Sequence, residues 1–411
     1  MARVYSGIMN ILMTTADHLM IDRRILQEAK TLVEQGHQVT LLAGFECPER
    51  ESYVQDGIRI ERFVYDWGDS RFPPLARRYG LEPGSKGYGW AWRLFRAWAN
   101  RVAKLSSFEQ FIYDRMSEYQ VDILHVHDFP MLAPAVELAK LRKVPLIYDA
   151  HELYYAQVQL PKAVQDKYKK KEAALIKQVD AAITVNPYIA QLMADRYEVK
   201  APHVILNAAP LAPMKETSLL RSRFNLPADA NILLYQGWIS DNRGIELLVD
   251  AAEKFQDNIY LVVVGYGAYE DTLKEQVARK GLQSRVLFYG GVPSAELHEL
   301  TCDADLGVIP YHGVDENNYF CSPNKLFEFA IAELPFVCND LPFLSDVVKT
   351  YGNGLLADLG SSNSIAETVN SLFSDPARLS ALKDGARKAR GTMNWEVESE
   401  KLLGIYKGVV G

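Results

Sequence analysis

Short apolar runs alternate with stretches of helical spacing along almost the whole chain, and that rhythm limits the fold more than any single motif. Residues 8–14 read as a strand. Residues 22–35 read as a helix, with apolar positions at Ile25, Leu26, Ala29, Leu32 and Val33 and a stop at Gly36. Residues 39–43, 123–126, 146–148 and 181–185 follow as short buried strands. The second half repeats the pattern. Residues 232–235, 259–264, 286–289, 306–309 and 336–338 are strands, with helices such as 246–255 and 269–280 between them and a last helix at 395–409. Short apolar strands separated by helices make a parallel sheet covered on both faces. The expected fold is α/β, with two Rossmann-like, doubly wound parallel-sheet domains facing across a cleft at the carboxyl ends of their strands.

A chain of 411 residues is too long for one ordinary core, so two domains are expected. Pro202, Pro210 and Pro213 interrupt regular structure around 207–215 and mark the break. The expected divisions are 1–206, with an insertion at about 66–120, then 207–394, and a C-terminal helix at 395–411 packing back toward the first domain. A hydrophobic content of 48% with 24% charged residues fits a soluble globular protein. The net charge of −7 argues against a nucleic-acid binder. Cys47, Cys302, Cys321 and Cys338 form no CxxC pair and read as reduced cysteines of a cytoplasmic protein. Residues 1–17 read as a first strand rather than a signal peptide, and no apolar run is long enough to span a bilayer. No GxGxxG follows the first strand, which disfavours a dinucleotide-dependent dehydrogenase.

The segment Cys321-Ser322-Pro323-Asn324-Lys325-Leu326-Phe327-Glu328 points to chemistry. Ser322 is a good N-cap and Pro323 suits the first helical position. Asn324 and Lys325 then fall in the first turn, where backbone donors and the helix dipole favour an anion. A cation does not help a bare helix N-terminus, so Lys325 implies an outside negative charge. Glu328 lies four residues after Asn324, on the same face one turn further in, where its carboxylate can accept sugar hydroxyls. A phosphate clamp beside a hydroxyl-binding carboxylate is what a nucleotide-sugar needs. An ordinary capped helix with an exposed lysine is the alternative this segment leaves open.

Further motifs run in one order through both halves: Asp22-Arg23-Arg24 with Glu28-Ala29 and Gly36-His37-Gln38-Val39, then Asp122 to Asp128, then Tyr148-Asp149-Ala150-His151-Glu152. The loop from Gly237 to Gly244, Gly265-Tyr266-Gly267 and Gly290-Gly291-Val292 follow, ahead of Ser322 to Lys325 and Glu328. In these motifs the chain resembles the GT-B glycosyltransferases, most closely family 4 (glycosyl transferases group 1), over nearly its whole length. The resemblance implies a transferase that moves a sugar from a UDP- or GDP-linked donor to a glycan or lipid-linked acceptor. It also implies anomeric retention, no cofactor and a place in cell-surface polysaccharide or glycoconjugate synthesis. The first domain would face the acceptor and the second would bind the donor through Gly237, Gly265, Gly291, Val292, Ser322, Asn324 and Glu328. His127 would touch the donor sugar near its reacting carbon, with Asp128, His151 and Glu152 on the sugar or acceptor side. A GT-B sugar epimerase and a catalytically silent partner subunit remain as alternatives.

Three positions depart from the family pattern. Phe320 stands where many members carry an acidic residue, Trp238 where an arginine is usual, and Arg243 where a lysine is usual. Breaking a sugar–diphosphate bond leaves negative charge on the departing nucleotide, which the site must stabilise. Arg243 and Lys325 are expected to do this without a metal. Asp303-Ala304-Asp305 looks like a metal-binding DxD, but it precedes an apolar strand and is read as structural. His125 falls inside a strand and reads as a packing or internally hydrogen-bonded residue.

Residues 71–104 carry eight basic side chains against the single acid Glu82, in an otherwise acidic protein. Trp90, Leu94, Phe95, Trp98, Val102 and Leu105 can form one helical face, and Arg93, Arg96, Asn100 and Lys104 another. A cationic helix with tryptophans suits peripheral contact with an anionic inner membrane face through 71–105. A helix packed on its own domain, with its charges solvated, is the competing expectation.

Overall fold

The computed structural model describes residues 7–17, 20–156 and 160–411, so residues 1–6 of the expected opening strand lie outside the described residues. The chain divides into one unit comprising Met1–Ile205 with Ser399–Gly411 and a second comprising Leu206–Glu398.

The first unit is built on eight strands: β1 (Asn10–Thr15), β2 (Gln38–Ala43), β3 (Glu51–Gln55), β4 (Ile58–Arg62), β5 (Ile123–His127), β6 (Leu146–Ala150), β7 (Ala181–Thr184) and β8 (His203–Val204). Their order is β3-β4-β2-β1-β5-β6-β7-β8, and every pairing is parallel except β3 with β4. Every residue of β5 and β6 is buried, as expected of central strands covered on both faces. Asp22 starts the first helix, Arg23–Glu34, by accepting a hydrogen bond from Arg24 N at 2.9 Å. The β3–β4 hairpin was not foreseen, because β3 is largely exposed and shows no apolar run.

The insertion forms three helices, Phe72–Arg78, Lys86–Arg101 and Ser107–Ser117. The expected single apolar face of the second is divided in two. Tyr88, Trp92 and Phe95 close around Phe72, with ring centroids 5.0, 5.1 and 5.2 Å away, and Leu105 is buried as well. Trp90, Leu94 and Trp98 form a separate outward stripe, 65%, 53% and 47% exposed. Lys104 is tied to Glu137 at 2.6 Å rather than standing on a free cationic face.

The second unit has six parallel strands: β9 (Asn231–Gln236), β10 (Ile259–Val264), β11 (Val286–Gly290), β12 (Leu306–Ile309), β13 (Phe336–Cys338) and β14 (Gly354–Leu356). Their order is β11-β10-β9-β12-β13-β14. Leu233, Tyr235, Leu261, Val263, Leu248 and Ile365 lie in its core. The expected helix at 246–255 is Ile245–Ala251 followed by a 3-10 turn, Ala252–Lys254. In each sheet the strand order reverses beside one strand: β1 between β2 and β5, β9 between β10 and β12. Such switch points open a crevice at the strand carboxyl ends.

Candidate functional site

In the second unit the crevice lies where β9 and β12 end. The helix there is Asn324–Ile331, and its cap is Pro323, with no side-chain capping bond. This corrects the expected Ser322 cap: the helix starts one residue later, and the Ser322 carbonyl instead accepts from Asn207 Nδ2 at 3.2 Å. Asn324 is exposed at the first helical position. Lys325 is not the exposed lysine of an ordinary helix. Its residue is only 4% exposed, and Nζ has no hydrogen-bond partner.

What surrounds Lys325 is aromatic. Nζ lies 3.7 Å from the Tyr235 ring centroid and 4.9 Å from that of Tyr311, and the Arg243 guanidinium lies 4.3 Å from the same Tyr311 ring. Cation–π contact offsets part of the cost of burying the charge. Burial, and then the nearby Arg243, nevertheless hold the Lys325 ammonium well below its usual range, opposed by Glu328. Glu328 is half-buried and accepts from Gln236 Nε2 at 2.5 Å; Gln236 in turn accepts from Thr301 Oγ1 at 2.9 Å. The structure therefore brings Lys325, Arg243, Gly237 and Glu328 into one neighbourhood. Tyr235, Tyr311 and Gln236 were missed, and nothing local in their segments marks them.

The glycines act differently from expectation. A side chain at Gly265 would lie 1.9 Å from the Gly237 carbonyl oxygen, and one at Gly267 would lie 2.0 Å from that of Ile239. They allow the chain's own backbone to pass closely, and Gly237 N and Ile239 N donate to Val264 and Tyr266 carbonyls at 2.9 Å. Gly237 takes φ +117°, a conformation that favours glycine, and lies in ordinary contact range of Lys325, whose Nζ would be 3.8 Å from an added Cβ. Gly291 receives the Tyr266 ring, and half-buried Val292 follows it. Asp303 and Asp305 sit at the opposite, amino end of β12. Asp303 accepts from Leu220 N and Arg221 N at 2.7 and 3.0 Å, and Asp305 from Arg221 Nη2 and Ile232 N at 2.6 and 2.8 Å.

In the first unit a buried charge network occupies the ends of β5 and β6. Arg24 donates to both Asp149 oxygens at 2.8–3.0 Å and lies 3.1 Å from Glu28. Burial alone would raise the Asp149 carboxyl, but Arg24 and then His151 hold it well below the usual range. Glu28, His125, His127 and Asp149 bring ligand-type atoms within 4.8 Å of one another, and Arg24 supplies the cation among them. His125 is internally bonded: its Nδ1 meets Tyr406 OH at 2.9 Å, and burial lowers it to about 4.

His127 is fully buried, with Nδ1 3.2 Å from His151 Nε2, and burial keeps it neutral. Asp128, which follows it, has φ +63°, a strained conformation for a non-glycine residue. Its Oδ1 accepts from His151 N at 3.0 Å, and burial raises its carboxyl to about 7. Burial would lower His151, but Asp128 and Asp149 raise it to about 10, so it is an imidazolium. Glu152 is half-buried on the same loop. Arg24, Glu28 and Asp149 were quoted only as motif letters. Arg24 and Glu28, an i,i+4 charged pair on an amphipathic helix, were a signal that could have placed them.

Two family models match consecutive stretches of the chain: a glycosyl transferase 4-like domain over residues 21–208 and glycosyl transferases group 1 over residues 216–389. A D-inositol 3-phosphate glycosyltransferase of Xylanimonas cellulosilytica is 28% identical over 224 residues, 52% of this chain and 51% of that protein, so the chain spans about half the length of that relative. The putative glycosyltransferase EpsD of Bacillus subtilis is 25% identical over 303 residues, 70% of this chain and 77% of the relative. Among solved structures, Anabaena Alr3699/HepE in complex with UDP and glucose superposes with a TM-score of 0.70 at 16% identity, covering 97% of this chain and 99% of that one. The chain belongs to the group 1 glycosyltransferases and has the GT-B architecture.

Proposed function

We propose that this chain transfers a sugar, with retention and without a metal, from a UDP- or GDP-linked donor to a glycan or lipid-linked acceptor in cell-surface glycan synthesis. One observation carries the donor half of this reading: Lys325 Nζ is buried, lacks a hydrogen-bond partner, and shares an aromatic wall with Arg243 at a helix start. Two cations held so close are poorly neutralised by the protein itself, and a diphosphate would complete them. Glu328, one turn further in, would meet the ribose hydroxyls, and His127, Asp128, His151 and Glu152 would serve the sugar and acceptor. HepE's complex with UDP and glucose supports the choice of donor class. The test is transfer from radiolabelled UDP- and GDP-sugars to lipid-linked glycan acceptors, with the product anomer read by NMR. Activity should survive excess EDTA. Absence of both transfer and donor hydrolysis would sink the reading, and loss in EDTA restored by manganese would sink its metal-free part.

The acceptor half rests on the Trp90, Leu94 and Trp98 stripe. Exposed Arg93 and Arg77 lie on the same insertion. The lysine-rich helix Lys162–Leu175 adjoins it through Lys167 Nζ, which donates to Asn100 O at 3.4 Å. Tryptophans beside lysines and arginines suit an anionic lipid surface at the inner membrane face of the cytoplasm. Among the described residues no helix is long and apolar enough to cross a membrane. The protein should bind acidic vesicles, less so as salt rises, and Trp90→Ser with Trp98→Ser should abolish binding while sparing donor hydrolysis. Wild-type protein that ignores acidic vesicles at low salt would rule this contact out.

A further inference from the structure

We infer that Trp238 is the floor on which the donor's sugar ring stacks, with Tyr266 as its side support; this deepens the donor-site reading above and rests on it. Both rings are open to solvent, 52% and 40% exposed. Their centroids lie 5.1 Å apart and their planes meet at 83°, so one ring buttresses the other edge-on. The pair is fixed in place. Tyr235 OH donates to the Trp238 carbonyl at 2.8 Å, Ile239 N donates to the Tyr266 carbonyl at 2.9 Å, and the missing side chain of Gly291 makes room for the Tyr266 ring.

The order of neighbours along the chain identifies the occupant. Gln236 holds Glu328, Gly237 adjoins Lys325 Nζ, and Trp238 comes next. Carboxylate, cation and indole thus follow one another as ribose, diphosphate and sugar do in a nucleotide-sugar. A nucleobase belongs at the other end of that order, beyond the ribose. A pyranose offers a flat face of C–H groups, and covering that face with an indole removes apolar surface from water.

The experiment is calorimetric titration of wild type, Trp238→Ala and Trp238→Phe with UDP, GDP, UDP-glucose and GDP-mannose. Trp238→Ala should weaken the sugar-nucleotide that wild type binds by roughly tenfold, the effect of on the order of 60 Å² of apolar contact. It should leave the matching bare diphosphate within about twofold, because that contact touches only the sugar. Trp238→Phe, which keeps a stacking face, should recover most of the loss. Equal weakening of bare diphosphate and sugar-nucleotide would overturn the proposal in favour of base stacking. No change in either would overturn it outright. A wild-type protein that binds none of the four would overturn the donor-site reading and this subsite with it, whereas intact diphosphate binding with an inert Trp238 would overturn the subsite alone.

Discussion

The two crevices are furnished in opposite ways. At the ends of β5 and β6, Arg24 meets Asp149 and Glu28 within 3.1 Å, and His151 lies 3.5 Å from the same Asp149, so both signs of charge are present. At the ends of β9 and β12, two cations share one aromatic wall, and Lys325 Nζ has no hydrogen-bond acceptor. A buried ion cluster that balances its own charge stiffens a fold. One that does not is costly to hold empty and is relieved by a ligand of opposite sign.

Removing one cation from each side tests this contrast. Arg24→Met leaves Asp149 buried without its partner and should destabilise the fold by about 3–5 kcal/mol in chemical denaturation. A loss below about 1 kcal/mol would mean that the network is not self-sustaining. Lys325→Met should instead leave the melting temperature unchanged or raised, since it deletes a charge the empty protein holds at a cost. The same change should lower turnover by on the order of a hundredfold, the usual worth of one strong transition-state contact. Near-normal turnover would remove Lys325 from the chemistry.

The smallest effect is a proton. Burial and Arg243 hold the Lys325 ammonium well below the usual lysine range in the ligand-free protein, and a diphosphate beside it would raise it again. The complex therefore binds more protons than the free protein, and nucleotide affinity should fall as pH rises between the lowered value and the restored one. Calorimetry in buffers of differing ionisation enthalpy should register uptake of up to about one proton per nucleotide. Lys325→Met should abolish it. Wild-type binding with no buffer dependence anywhere in that range would place the diphosphate elsewhere.

The sheets were legible because their central strands are buried on both faces and are apolar over most of their length. The β3–β4 hairpin was overlooked because water, not the core, chooses most of the β3 side chains. Its two-residue turn, Asp56-Gly57, has φ of 51° and 79°, and that dipeptide is a strong hairpin signal in its own right. Lys325 was legible as a cation at a helix start, but its burial was not, since Tyr235 reaches it from β9 and Tyr311 from the segment just after β12. Arg24 and Asp149 are 125 positions apart, and no local pattern shows that one neutralises the other. Trp90 and Phe95 fall within one apolar stretch, and only packing against Phe72 separates the inward ring from the outward one.

The close passage of Gly265 against Gly237 has a consequence for how this protein can be redesigned. With 1.9 Å between an added methyl and a carbonyl oxygen, position 265 admits no side chain, and 267 is barred in the same way by Ile239. A library aimed at new donors would waste its diversity there. The two outward rings between and beside those glycines, Trp238 and Tyr266, are where variation can be absorbed without displacing the main chain.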